Sequence, residues 1–247
     1  MRYFLEVAYD GTNYHGWQAQ PNALAVQALL NDCLSKVLRQ PISTTGSGRT
    51  DTGVHASQQF VHFDVVQILD PQQVVFRLNR ILPADISARN LYLVPDEAHA
   101  RFDAIARTYH YHINLVRNPF KRYYAWYQSR SLDVEKMNEA AAILLMYEDF
   151  TTFSKVKGDT NHYRCTIYEA VWRQQSGELI FAVRANRFLR GMVRLVVGTL
   201  VDVGRRKLTV AQFEQIIASQ NRSKASGAAP AEGLFLAKVE YPEGLLK

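Results

Sequence analysis

An α+β fold is predicted by three observations. Short runs with alternating apolar residues are interleaved with apolar residues at helical spacing, two helix starts carry a capping Asp, and the order β-α-β-β-α-β in the first half is followed by a similar order in the second. With 247 residues, 47% hydrophobic and 21% charged, the chain has material for one large domain or two small ones. Its 13 Gly and 8 Pro leave it far below the roughly 25–30% of a low-complexity chain, which excludes a disordered or fibrous protein.

The first segment, Arg2 to Tyr9, alternates around Tyr3, Leu5 and Val7 as a strand does. Val26, Leu29, Leu30, Cys33, Leu34, Val37 and Leu38 then follow the i, i+3, i+4 spacing of an amphipathic helix, which Pro41 ends. A β-prone stretch, Ile42 to Thr45, leads into the glycine-rich segment 46–53, and Gln59 to Val66 alternates again. Asp70 and Pro71 are a cap and a first helical residue for a helix carrying Val74, Leu78 and Ile81. Ile86 to Val94 closes the first half as a strand. After the polar segment Pro95 to Asp103, Tyr109 to Leu115 and Tyr123 to Gln128 read as strands, and Asp133 caps a helix to about Tyr147. Tyr163 to Arg173 and Glu178 to Arg184 form a hairpin around Ser176-Gly177. A helix from about Phe188 to Val203, a short one capped by Thr209, and a strand from Leu234 to Tyr241 complete the chain. Thr151 to His162 and Ser219 to Glu232 read as loops. No residue-level repeat links the halves, but the shared pattern predicts two ferredoxin-like (RRM-like) βαββαβ units, residues 1–103 and 104–247. If their antiparallel sheets join side by side, a central cleft is expected where the halves meet.

Several classes are excluded. The longest unbroken apolar run, Ala140 to Tyr147, is eight residues, whereas a membrane-spanning helix needs about 20. Glu6 and Asp10 interrupt any signal-peptide core after Arg2. Two cysteines, Cys33 and Cys165, cannot build a disulfide framework or a thiolate-rich zinc site, and they fit a reducing cytoplasm. A formal net charge of +6 is compatible with a polyanionic partner, and 13 Tyr offer rings on which RNA bases can stack.

Three runs could carry chemistry. Residues 46–56, Gly-Ser-Gly-Arg-Thr-Asp-Thr-Gly-Val-His-Ala, lack the Gly-Lys-Ser/Thr of a phosphate loop and the Gly-x-Ser-x-Gly frame of a hydrolase nucleophile. They form a glycine-flanked loop presenting the Asp51 carboxylate beside the Arg49 guanidinium. An isolated Asp in a turn usually bonds its own backbone, but three glycines within eight residues suit a backbone that approaches something closely. The second run, Ala106 to His112, opens the second half. His110 and His112 share a strand face, with no third ligand at suitable spacing, so no metal is expected, and Tyr109 on residue type alone is a packing residue. In the third run, Asn186 to Gly198, Met192, Leu195, Val196 and Thr199 read as core, with Arg187, Arg190 and Arg194 as a basic stripe on the same helix. Arg194, set between Val193 and Leu195, is poorly placed for water and calls for a carboxylate partner.

These residues carry a resemblance. Gly-Arg-Thr-Asp-x-Gly-Val-His-Ala at 48–56, Asp-Gly-Thr-x-Tyr-x-Gly-Trp-Gln-x-Gln at 10–20, Met-Val-Arg at 192–194 and Ala-Glu-Gly-Leu at 231–234 resemble the tRNA pseudouridine synthase A family in order and over nearly the whole chain. Thr52, where Ala is frequent, and Leu195, where Asn is frequent, are its departures. The resemblance implies isomerisation of uridine to pseudouridine in the tRNA anticodon stem-loop, with the N-glycosidic bond broken and the ribose rejoined through C5. It places the nucleophile on Asp51 and the cation that keeps it ionised away from water on Arg194. Tyr109 would stack on the uracil and help remove the C5 proton, and Arg49 would fill the space left by a flipped nucleotide. Leu234 is placed behind the uracil by the same analogy. No cofactor and no metal are implied, because the reaction needs neither redox change nor a group donor, and a homodimer is expected. The rival readings are a non-catalytic RNA-binding protein with two RRM-like units, and a small-molecule enzyme using Asp51 as general base, which leaves the basic excess unexplained.

Overall fold

The computed structural model describes residues 1–155 and 162–246, and the part of the expected loop at 156–161 lies outside the described residues. The chain divides into two compact units, Met1–Arg107 with Phe235–Lys247 and Thr108–Leu234. The C-terminal strand thus belongs with the first unit, although it follows the second in sequence.

In the first unit, β1 (Arg2–Tyr9), β3 (His55–Asp64) and β4 (Ile86–Val94) are antiparallel neighbours in the order β4-β1-β3. Tyr3, Leu5 and Val7 are buried on one face of β1, and Phe4, Glu6 and Ala8 on the other, so this strand is covered on both faces rather than half-exposed as alternation suggests. The β-prone stretch at 42–45 gives only a two-residue strand, β2 (Thr45–Gly46), on β3. Strand β3 starts at His55 rather than Gln59 because β9 (Leu234–Glu240) pairs with it in parallel, His55 opposite Phe235. Two helices, α1 (Val26–Leu38) and α2 (Pro71–Ile81), pack on each other. Helix α2 begins as expected, with the Asp70 carboxylate accepting from Gln73 N at 3.1 Å and Pro71 in the first turn. Helix α1 has no side-chain cap, and two of its first amides go instead to the carbonyls of Gly16 and Trp17, at 3.3 and 3.0 Å.

The second unit orders β5 (Ala106–Asn114), β8 (Glu178–Ala185) and β7 (Ile167–Gln175) as β5-β8-β7, with β6 (Trp126–Tyr127) beside β5. The strand expected over 123–128 shrinks to these two residues, because a 3-10 turn at Pro119–Lys121 occupies the approach. Helix α3 (Val134–Ile143) is capped by Asp133 and passes into a 3-10 turn, Leu144–Met146. Helix α5 (Val210–Ala218) opens with a capping box in which Thr209 and Gln212 satisfy each other's backbone amides. Helix α4 (Met192–Gly204) starts four residues later than the spacing suggests, because Gly191 adopts φ +73, which ends the preceding segment. Arg187 and Arg190 therefore precede the helix, and the expected basic stripe is not a helical face. The core reading holds: Met192, Leu195, Val196 and Thr199 are all buried. The stretches read as loops at 151–155 and 219–232 contain three 3-10 turns, and Thr152, Phe153 and Ser154 are buried, so the first of them contributes to the core.

Both units are thus mixed strand-and-helix structures of the α+β kind. Among the described residues no helix is long and apolar enough to cross a membrane. Cys33 and Cys165 are buried free thiols, and burial pushes the Cys165 thiol up to about 12, which suits packing rather than reactivity.

Candidate active site

In the first unit the Asp51 loop is held from both sides by the segment that carries the Asp-Gly-Thr-x-Tyr-x-Gly-Trp motif. Trp17 N donates to Thr50 O at 3.2 Å, and Gly53 N donates to Tyr14 O at 3.2 Å, so the residues on either side of Asp51-Thr52 are pinned. Val54 N closes the turn onto Asp51 O at 3.1 Å. Glycine is required beneath it. Gly16 sits at φ +89, and a Cβ there would lie 2.4 Å from Thr50 O; a Cβ on Gly11 would lie 2.0 Å from Val54 O. The glycines of the loop have separate reasons: Gly46 receives the Trp17 indole, Gly53 takes φ +75, and Gly48 faces open space.

Side chains complete the frame. Tyr9 Oη and Thr50 Oγ1 are 2.9 Å apart in a buried bond, and the Tyr9 and Trp17 rings stack at 5.9 Å. Ser47 Oγ donates to Gln59 Oε1 at 2.7 Å, while Gln59 Nε2 donates to Gly48 O at 2.9 Å. Arg107 donates from its guanidinium to Ser47 O at 3.1 Å and to Ala104 O at 2.7 Å. Buried His55 has its Nδ1 3.0 Å from Gly11 N and 3.0 Å from Asp10 Oδ1. One nitrogen cannot accept from the first and donate to the second together. Because the Gly11 N–H can only donate, we assign Nδ1 as its acceptor. The result is a rigid turn that presents a partly exposed Asp51, with Arg49 exposed beside it.

In the second unit, Tyr109 on β5 is partly buried and meets the Phe188 ring edge-to-face at 5.1 Å and 88°. Arg194, in the first turn of α4, is also partly buried. Its Nε donates to Ala229 O at 2.7 Å, and Ala229 N returns a bond to Arg194 O at 2.9 Å. The chain at 227–229 reaches α4 only because residue 198 is glycine; a Cβ there would be 2.0 Å from Gly227 O. Tyr111, two residues beyond Tyr109 along β5, donates to Pro230 O at 2.8 Å. Its hydroxyl is held far above the usual phenol range by burial, with Glu232 adding to the rise and Arg194 opposing it. Leu234 is buried at the start of β9. His110 and His112 have rings 6.4 Å apart, and His112 Nδ1 meets Glu178 Oε1 at 2.8 Å. Among the described residues no three His, Cys, Asp or Glu side chains are grouped to hold a metal.

The frame residues Tyr14, Gly16, Trp17 and Arg107 are not singled out by composition or periodicity. The density of glycine and aromatic residues at 11–17 was the available signal, and Arg107 was hidden by its conspicuous neighbour Tyr109.

Known proteins are similar to this chain along nearly its whole length. The family model described as tRNA pseudouridine synthase matches residues 6–103 and 140–242. The tRNA pseudouridine synthase A of Bacteroides thetaiotaomicron is 51% identical over 99% of this chain and 92% of its own length. That of Bacteroides fragilis is 49% identical, covering 100% and 98%, and that of Exiguobacterium sibiricum is 37% identical, covering 98% and 97%. A family match through both halves, joined to end-to-end relatives at this level of identity, shows that the chain belongs to the tRNA pseudouridine synthase family.

Proposed function

We propose that this protein isomerises uridine to pseudouridine in the anticodon stem-loop of tRNA, with Asp51 as nucleophile, Arg194 as its cationic partner and Tyr109 against the uracil. In the reaction the N1–C1′ bond breaks, a C5–C1′ bond forms, the C5 proton leaves and N1 gains one. No redox partner or group donor is required. The observation that carries the reading is the pinning of the residues on either side of Asp51-Thr52, Thr50 O by Trp17 N and Gly53 N by Tyr14 O, which suits a carboxylate used repeatedly in one geometry. The test is incubation with unmodified tRNA transcript followed by nucleoside analysis. Pseudouridine at an anticodon-arm uridine supports the reading, and unchanged uridine throughout refutes it.

The strand order β4-β1-β3, with β2 on β3, and the order β5-β8-β7 support two ferredoxin-like units. Two buried free thiols favour a reducing cytoplasm. A symmetric dimer suits the size of the substrate, since one 28.2 kDa subunit offers limited surface to an L-shaped tRNA.

Tyr109 has two separable roles, and Tyr109→Phe keeps the stacking ring while removing the hydroxyl. We expect tRNA affinity within about twofold of wild type and release of C5 tritium slowed by about 10²–10⁴, the usual worth of a positioned proton-transfer group. Tritium release at the wild-type rate would show that the hydroxyl does not move the proton.

Arg49 is exposed beside Asp51 and is proposed to occupy the space vacated by the extruded nucleotide. Extrusion costs a few kcal/mol of unstacking, so a side chain that fills the gap holds the open state. A fluorescent base analogue at the target position is expected to report less extrusion with Arg49→Ala than with wild type; equal signals would remove this role.

A further inference from the structure

The turn between β5 and β6, residues 115–125, is not used by the chemistry above, and its composition is distinctive. From Leu115 to Leu132 the chain has four cations, Arg117, Lys121, Arg122 and Arg130, and no carboxylate. Phe120 at its tip is 88% exposed and Val116 67% exposed, with Tyr123 and Tyr124 also exposed. The Arg122 guanidinium lies 4.4 Å over the Tyr123 ring.

This display is built, not loose. Asn118 Oδ1 accepts from Phe120 N at 3.0 Å, and Asn118 O accepts from Lys121 N at 3.2 Å, closing the 3-10 turn. Tyr124 N continues it onto Lys121 O at 3.0 Å, and Leu115 N ties its base to Gly177 O at 3.0 Å in the neighbouring hairpin. Lys121 Nζ is 2.6 Å from Glu178 Oε2, and Glu178 also meets His112. Lys121 therefore anchors the turn, and its charge is compensated. Arg117 and Arg122 are exposed on the same turn as Phe120.

A rigid, fully presented phenyl ring flanked by arginines suits a π-face that arrives with negative charge, which is an unpaired nucleotide. A second copy of the chain suits it poorly. A self-complementary contact centred on this turn would bring like-charged Arg117 and Arg122 of two subunits together. We propose that the 115–125 turn is a second tRNA contact, in which an unpaired base stacks on Phe120 while Arg117 and Arg122 meet the flanking phosphates. The proposal rests on the reading of tRNA as substrate, and it deepens that reading by assigning a grip on the RNA away from the Asp51 loop in sequence.

The test uses the full chain, an unmodified tRNA transcript and four proteins: wild type, Phe120→Ala, Phe120→Trp and the double variant Arg117→Ala/Arg122→Ala. Fluorescence anisotropy gives Kd as a function of salt, and C5-tritium release gives kcat and KM. Phe120→Ala is expected to raise Kd and KM together about tenfold, with the loss in KM rather than kcat, and Phe120→Trp to restore them. The double arginine variant is expected to flatten the log Kd against log salt slope by about 1.4–1.8, for two phosphate contacts. Unchanged Kd in Phe120→Ala overturns the proposal, as does a shift of that variant to a smaller species in sedimentation with Kd intact, which would make the turn a subunit interface. If wild type binds tRNA but releases no tritium, the isomerase reading fails, and the comparison of Kd values still decides this one.

Discussion

Replacing Asp51 by asparagine is expected to stop pseudouridine formation, with a fall of about 10⁴-fold or more in the single-turnover rate. Asparagine has the size of aspartate, and bonds that do not involve the Asp51 side chain hold residues 50–54: Trp17 N to Thr50 O, Gly53 N to Tyr14 O, Val54 N to Asp51 O, and Tyr9 Oη with Thr50 Oγ1. The variant should therefore fold, melt close to wild type and bind tRNA, while lacking the electron pair that attacks the substrate. Nucleoside analysis of tRNA from stoichiometric reactions checks the loss. A non-catalytic RNA-binding protein would show no such separation of binding from chemistry, since wild type and variant would be equally silent.

The second large effect is expected at Arg194. In the proposed pairing, Arg194 is the cation for Asp51 with substrate bound and water excluded; removing one member of such a pair strands the other, at a cost of about 3–5 kcal/mol. If that loss falls on the transition state, Arg194→Ala should lower kcat by roughly two to three and a half orders of magnitude. Arg194→Lys should recover part of it. Lysine keeps the charge, but it carries one compact ammonium, whereas arginine presents a planar fork of donors, of which Nε bonds Ala229 O at 2.7 Å. The lost bond to Ala229 should also loosen the 227–229 chain on α4, so Arg194→Ala is expected to melt a few degrees lower. Equal kcat in Arg194→Ala and wild type would remove Arg194 from the chemistry.

Elements with strong local signals were legible. Alternation placed β1 and β4, and Asp70, Asp133 and Thr209 marked helix starts that the structure caps as expected. What escaped depends on partners distant in sequence. The start of β3 is decided by β9, some 180 positions later, which pairs at His55 and Ala56. The start of α1 is satisfied by the carbonyls of Gly16 and Trp17 rather than by a capping side chain. The late start of α4 turns on one glycine at positive φ, which moved Arg187 and Arg190 off the helix. The two residues proposed for the chemistry stood out locally, Asp51 by its glycines and Arg194 by its apolar neighbours. The frame beneath them was visible only as a motif at 10–20: that Gly16 must be glycine and that Trp17 packs on Gly46 and Tyr9 depends on residues outside it, chiefly the loop at 46–53, which no local pattern shows.

In the proposed reaction one carboxylate, Asp51, is the reactive group. Its most direct test counts tritium released from tRNA labelled at C5 of uridine, side by side for wild type and Asp51→Ala at equal tRNA occupancy. Release by wild type and counts at the blank level for Asp51→Ala are expected. Release by Asp51→Ala at the rate of wild type would contradict the account.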